Sequence, residues 1–428
     1  LHPLSPVVRA GRASVGLVTI AGVNGLATHS TPWEGFIVVG IAAVAGVVYW
    51  RVTKWRVFDG VLQIDTGLLR RQQVRVPLTR IQGIDLVRPL LARMLGLAEL
   101  RLVLAGHDSR DARLAYLEAD RASAVRAQLL AVAHRLADDT PEPAERPILV
   151  VPAGRVIAAN LLTVRFVIGG VLFAAAIVLF VVFPAAIAAG GAPVLATLAG
   201  VLLVTARQIS AEWEFQIAEA PDGLRLRSGL LQTRAETIPH GRVQAVRWIE
   251  PLWWRPFGWV RLEFDVARRR DGERDERQSG TTSRALLPAG SREEARWLLS
   301  RVLPGAVAEL PATLGVPRRA GWRIPLARRF ARVWLDDAYL ACCTGRLRPD
   351  TVVVPLAKVQ SMRWSQGPWS RRLDLAGVHV DTAGRRFTAR ARFRDAAQAR
   401  QLITTLPDLA RAARAAATGT PPAVAAET

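Results

Sequence analysis

The sequence predicts a polytopic membrane protein in which two helical hairpins carry three domains, each running strands first and closing with one helix. Three observations predict it: apolar runs of bilayer length, basic residues confined to one side of those runs, and a string that recurs three times at fixed spacing.

Composition sets the class. The chain has 428 residues, room for two to four domains; half are hydrophobic, 22% are charged and the mean hydropathy is +0.19. That argues against a disordered chain and, with the long uncharged runs, against a purely soluble enzyme. The formal net charge of +21 suits anionic lipid or nucleic acid. However, Lys54 and Lys358 are the only lysines, and a GC-rich coding sequence gives the same excess of Arg and Ala, so charge alone selects no partner. Cys342 and Cys343, the two cysteines, are adjacent and cannot form a disulfide framework, which fits a reducing compartment.

Residues 13–28 and 33–50 are two apolar stretches around a short polar link, the second flanked by Trp33 and by Tyr49 and Trp50 at headgroup depth. Residues 166–183 and 193–205 form a second pair around Pro184 and Gly190-Gly191. Arg9, Arg12, Arg51, Lys54 and Arg56 flank the first pair; Arg155, Arg165 and Arg207 flank the second; the connecting links carry no Lys or Arg. The positive-inside rule then puts both termini and every long segment on the cytoplasmic face of a bacterial inner membrane. The interior of the spans holds no acidic or basic residue of the kind that marks a transport path, which favours anchors over a pore.

The recurring string is Gly67-Leu68-Leu69, then Pro77, Arg80, Ile81, Gln82, Pro89, Arg93 and Gly96. It returns without a gap as Gly229-Leu230-Leu231, Pro239, Arg242, Val243, Gln244, Pro251, Arg255 and Gly258. The third copy has Gly345-Arg346-Leu347, Pro355, Lys358, Val359, Gln360 and Arg371, with Gly367 in place of the second proline and Asp374 in place of the last glycine. A loop of different shape is expected there. Copies one and two start 162 residues apart (67 to 229) and copies two and three 116 apart (229 to 345). The difference of 46 is about the length of a helical hairpin, so only the first two copies bring an anchor.

Within copy one, alternating runs at 52–58, 61–65, 69–76, 81–87, 99–104 and 113–117 predict a strand meander punctuated by Asp59-Gly60, Thr66-Gly67 and Pro77. A helix is expected to start at Asp120, with apolar residues at Val125, Leu129, Val132 and Leu136. Its counterparts start at Ser291, where Glu294 completes a capping box, and at Asp395.

This order, the Pro-x-x-basic-aliphatic-Gln signature and the paired spans resemble the membrane-flanked family of bacterial pleckstrin-homology-like domains, in particular its long members with several copies. The resemblance implies, for each copy, a partly open antiparallel β-barrel of about seven strands closed by the C-terminal helix. It also implies no catalytic activity, and membrane-associated binding or envelope-stress roles. The expected division is a transmembrane hairpin at 1–50, a PH-like domain at 51–140, a linker at 141–155 and a second hairpin at 156–206. PH-like domains follow at 207–310 and 311–412, and a disordered tail at 413–428.

Arg80, Arg242 and Lys358 with Gln82, Gln244 and Gln360 are candidates to line a polar surface in each copy. The alternative is structural: Pro77, Pro239 and Pro355 end a strand, and the Gln amide satisfies backbone groups at the corner. Residues 318–332 carry Arg318, Arg319, Arg323, Arg328, Arg329 and Arg332 and no acid, with Trp322 and Phe330 interleaved. They fit either an anionic leaflet or a linker and first strand with a solvated face. The mixed-sign run 268–277 reads as a hairpin tip, and Trp253, Trp254, Trp259, Trp364 and Trp369 as interface aromatics or as plugs of the barrel end.

No catalytic, cofactor or metal motif is present: the six histidines lack HExxH or HxH spacing, and no Walker, GxGxxG or GxSxG string occurs. Cys342 and Cys343 are expected to pack as small apolar residues. The expected function is a non-enzymatic scaffold, embedded in membrane lipid, for protein partners or self-association. The alternatives are recognition of anionic phospholipid and, in a different class, a transporter or lipid-substrate enzyme. Nucleic acid is not an expected partner.

Overall fold

The computed structural model describes residue 40 and residues 54–58, 61–66, 72–77, 81–104, 112–133, 146–182, 184–220, 223–239, 241–267, 285–306, 314–384 and 386–418. The predicted first hairpin, apart from residue 40, and the tip at 268–277 lie outside them.

Each copy supplies two groups of three antiparallel strands. Copy one has β1 Lys54–Phe58, β2 Val61–Thr66 and β3 Gln72–Pro77, then β4 Ile81–Pro89, β5 Leu97–Leu104 and β6 Ala112–Glu118. A strand outside the expected set, β7 Arg146–Val151, lies in the expected linker. Copy two has β8 Phe215–Ala220, β9 Gly223–Ser228 and β10 Gln232–Pro239, then β11 Val243–Ile249, β12 Trp259–Val266 and β13 Ala285–Ser291. Copy three has β14 Arg332–Leu335, β15 Tyr339–Thr344 and β16 Asp350–Pro355, then β17 Val359–Ser365, β18 Leu375–Thr382 and β19 Ala389–Asp395. Among the described residues each copy has these six strands, and β7 stands beside β8 as a seventh strand for copy two.

The helices among the described residues, in chain order, are α1 Leu90–Met94, α2 Ala119–Ala133, α3 Ala153–Leu161, α4 Val164–Val182, α5 Pro184–Ala211, α6 Arg292–Val302, α7 Pro368–Arg372 and α8 Ala396–Thr418. Ser291 accepts from the Glu294 amide while the Glu294 carboxylate accepts from the Ser291 amide, the capping box read from the sequence. The α8 helix runs to Thr418, so residues 413–418 are helical and not tail.

The sheet order joins strands of successive copies, a relation that the sequence left open. A seven-stranded sheet runs β6-β5-β4-β10-β9-β8-β7 and a six-stranded sheet β13-β12-β11-β16-β15-β14, while β1-β2-β3 and β17-β18-β19 are the first and last groups in chain order. The proline of each signature ends one strand group, and the chain turns there into the next group. The two halves of a copy therefore enter different sheets, and a neighbouring copy completes each inner half. The chain divides into two compact units, residues 1–149 with 216–239 and residues 150–215 with 240–428, one of the boundaries falling between Pro239 and His240 inside the second signature.

In the second unit the described hairpin differs from the prediction. Residues 184–192, read as a link, are helical in α5, and α3 is a separate short helix bent 57° from α4. Among the described residues no single helix is long and apolar enough to cross a membrane; the bent pair α3 and α4 is so only when taken together, by length and composition. Val171, Leu172, Val178, Leu179 and Val182 on α4 and Leu202 on α5 are exposed.

The third copy's departures change its loop less than expected. The short helical turn after the signature strand occurs in all three copies, as α1, as a 3-10 turn at Leu252–Phe257 and as α7. Each ends on a left-handed residue: Gly96 at φ +68°, Gly258 at +64° and Asp374 at +48°. Asp tolerates that region better than most L-residues, and in both the first and third copies the residue's carbonyl accepts from the first amide of the closing helix, Ala119 or Ala396.

Candidate functional site

The two joints between copies are built alike. At the first, β4 pairs with β10 through Leu86 with Ala235 and Val87 with Arg234. At the second, β11 pairs with β16 through Trp248 with Thr351 and Ile249 with Asp350. The repeat spacings of 162 and 116 convert one register into the other without a shift. A latch accompanies each pairing: Arg93 Nη1 donates to the Leu230 carbonyl at 3.3 Å, and its repeat counterpart Arg255 Nη2 to the carbonyl of Arg346 at 2.6 Å. Arg247 of β11 also grips Asp350 of β16, Nε donating to Oδ1 at 2.7 Å and Nη2 to Oδ2. That hydrogen bond holds the Arg247 pKa above its ordinary value against the effect of burial.

The described signature residues of copies two and three each sit at the corner of their own copy. Gln244 is buried and donates Nε2 to the Arg242 carbonyl at 3.1 Å, while Arg242 itself is exposed. Lys358 is half-buried in a 3-10 turn, Leu356–Lys358, and Gln360 is exposed. Arg80 lies outside the described residues; Gln82 is placed in β4 by its backbone.

The Arg-rich stretch folds as a strap with 3-10 turns at Arg318–Trp322 and Arg328–Phe330 and runs into β14 at Arg332, so the reading as a linker and first strand fits its end. Arg394, buried on β19, donates to the carbonyls of Leu314, Gly315 and Ala331 and so closes both ends of the strap. Burial lowers its pKa from the ordinary arginine value. Arg319 bridges Asp374 and Asp395. Beneath the strap Val316, Ala320, Ala331 and Leu375 form a small core, and outside it Trp322 is 87% and Leu326 69% exposed beside exposed Arg318, Arg323, Arg329 and Arg332. Arg328 is half-buried. Between strap and strands lies a cavity of about 450 Å³ whose polar lining includes Arg247, Arg386, Arg390, Arg392 and Asp350.

The tryptophans divide by role. Trp254 is buried and donates Nε1 to the Ala159 carbonyl of α3 at 2.9 Å, so it is a packing residue, whereas Trp253 is exposed. Trp259 stacks on Phe257, and exposed Trp369 lies under Arg372. Two further ties fix the hairpin to copy two. Arg155 of α3 pairs with Glu294, and Arg261 of β12 pairs with Glu212 next to the end of α5 and with Glu263.

Cys342 is buried in β15 and its thiol is pushed up to about 12 by burial; Cys343 is also raised, first by burial. Among the described residues no group of three metal-capable side chains occurs.

Sequence reasoning missed the Arg247 and Asp350 pair, the Arg394 clamp and the Glu212 tie, whose partners lie far apart in the chain. The latch had a signal: Arg93, Arg255 and Arg371 recur at the repeat spacing.

The profile of the family described as Bacterial PH domain matches three times, over residues 15–133, 161–306 and 295–410. No curated protein matches the chain.

Proposed function

We propose, for a chain that belongs to the bacterial PH domain family, that it is a non-enzymatic scaffold anchored in the inner membrane of a bacterium by four spans in two hairpins. It presents its PH-like domains at the cytoplasmic face to protein partners of an envelope or stress-related complex. The observation that carries the reading is the joint: copies one and two share one sheet, copies two and three another, and both joints have the same register, so neighbouring copies are built into each other. The apolar side chains exposed on α4 and α5, and the three ties that hold the second hairpin to copy two, support anchoring. A photo-cross-linking residue at position 322 or 326 in intact cells tests the scaffold. A discrete protein adduct is expected; adducts with lipid alone would overturn protein partners as the main ligand.

One observation favours a second reading, recognition of anionic phospholipid. The strap shows Trp322 and Leu326 to solvent among exposed arginines, and each basic residue near an anionic leaflet adds about 1 kcal/mol. A polarity-sensitive probe at position 322, in full-length protein lacking Cys342 and Cys343, would shift to the blue in anionic but not neutral bilayers, and salt would reverse the shift. No difference between the two bilayers excludes this reading.

A further inference from the structure

The two internal joints each need four parts: a β4-type strand, its latch arginine, a β3-type strand and the hairpin before it. The third copy has the first two parts, and among the described residues no β3-type strand is paired to them. In β17 the run Val359-Gln360-Ser361-Met362-Arg363-Trp364-Ser365 repeats the Val243-Gln244-Ala245-Val246-Arg247-Trp248-Ile249 of β11. Among the described strands, however, β17 pairs only with β18. Trp248 is 7% exposed under β16, and its counterpart Trp364 is 40% exposed. Arg371, the counterpart of the latches Arg93 and Arg255, is exposed and makes no side-chain hydrogen bond among the described residues. At the other end of the series β3 pairs only with β2 among the described strands.

We propose that β17 with Arg371 on one chain receives β3 of a second copy of the same chain, forming a third joint in the register of the first two. Carrying the register over by the repeat spacings places Met362 opposite Arg75, Arg363 opposite Val74, Trp364 opposite Gln73 and Ser365 opposite Gln72. By sequence, Arg371 is the counterpart of Arg93 and Arg255, and Leu68 that of Leu230 and Arg346. The contact is head-to-tail, so repeated use gives a row or a ring of chains rather than a closed two-fold dimer.

The third joint is weaker by composition. Arg247 meets Asp350 at the second joint, and the sequence puts Asp85 and Arg234 at the corresponding places of the first, with the charges exchanged. At the third, Arg363 meets neutral Gln72, and Ser365 replaces Ile249. Arg363 is held meanwhile by Asp381 of β18, at 3.0 Å. A four-residue strand pairing is small beside a stable interface of about 1,200 Å² or more, so assembly depends on the density of chains. The assembly goes beyond the scaffold reading and does not require a particular partner.

The test uses full-length protein with Cys342 and Cys343 replaced, reconstituted in lipid vesicles at increasing protein density. Chains carrying Arg75→Cys are mixed with chains carrying Met362→Cys. The expected result is a disulfide between the two kinds of chain whose yield rises with density. Gln360→Cys, two residues along β17, should give several-fold less. Gln72→Asp should raise the Arg75/Met362 yield several-fold. Arg363→Asp and Arg371→Ala should each lower it, and Gln72→Arg should restore the Arg363→Asp loss. A disulfide joining two Met362→Cys chains would mean two-fold pairing of β17 with itself and would overturn the proposal. A yield indifferent to the charge variants would overturn it too, as would single-molecule counting that finds the unsubstituted chain monomeric at every density. Failure to enter the bilayer would instead defeat the anchoring reading, and the same mixing experiment then decides the joint in solution.

Discussion

Arg255 and the main-chain carbonyl of Arg346 are 91 residues apart in the chain, yet the guanidinium of the first donates to the second at 2.6 Å, as Arg93 does to Leu230 one copy earlier. A residue of the repeat string therefore serves the contact between copies, not the core of its own copy. Beside the second latch, Arg247 and Asp350 add a charged pair across the same joint, both side chains only part exposed.

Breaking that pair should loosen the second joint. Arg247→Ala or Asp350→Ala is expected to cost about 2 kcal/mol, the range for hydrogen bonds to charged groups. The double charge exchange, which puts at this joint the acid-base order that Asp85 and Arg234 have at the first, should recover most of it. Pulse proteolysis of the two single variants and the exchange variant, read as a thermodynamic cycle, measures this.

Arg394→Met should free the strap while leaving β19 in place. The guanidinium answers three carbonyls that no methionine can satisfy, and a loss of about 3 kcal/mol is expected. Hydrogen exchange over residues 316–331 should rise far more than exchange in α8; equal rises in both would contradict the clamp.

Trp254→Phe keeps the ring but removes the donor to Ala159, which should cost about 1 kcal/mol through a freed carbonyl. Trp253→Phe, on an exposed neighbour, should change stability little. Thermal midpoints of the two variants in the same detergent compare them directly.

Asp374 occupies a left-handed position that glycine fills in the other two copies. Asp374→Gly should be neutral or stabilising by up to about 1 kcal/mol, because the pair with Arg319 that it loses is exposed and weak. Asp374→Val should destabilise, since a branched side chain is poorly accommodated at positive φ. Denaturant midpoints give the order.

Glu263 sets an acid limit. Burial alone pushes its carboxyl up, but Arg261, Arg386 and Arg247 outweigh burial and hold it below the ordinary 4.5. Its stabilisation is therefore complete above that value and is lost as pH falls through the lowered folded value. Stability of the full chain should drop on acidification below about pH 4.5, and Glu263→Gln should flatten the drop while lowering stability at neutral pH. Unfolding midpoints across pH 3–7 test the sign.

The sequence by itself determined the local units. Strand groups appear where residues alternate in polarity, corners where Pro77, Pro239 and Pro355 remove a ladder donor, and the α6 start where Ser291 and Glu294 can cap each other. These signals depend on neighbours within a few residues, so a repeat at fixed spacing makes them legible three times over. Which edge a strand joins was decided only by tertiary structure. The backbone hydrogen bonds of β10 are the same whether it closes its own copy or extends β4, and the choice rests on contacts such as Arg93 with Leu230, 137 residues apart. The same holds for the strap: its arginines read alike as solvated charge or as lipid contact until Arg394, fully buried 63 residues beyond Ala331, fixes both ends and turns Trp322 outward.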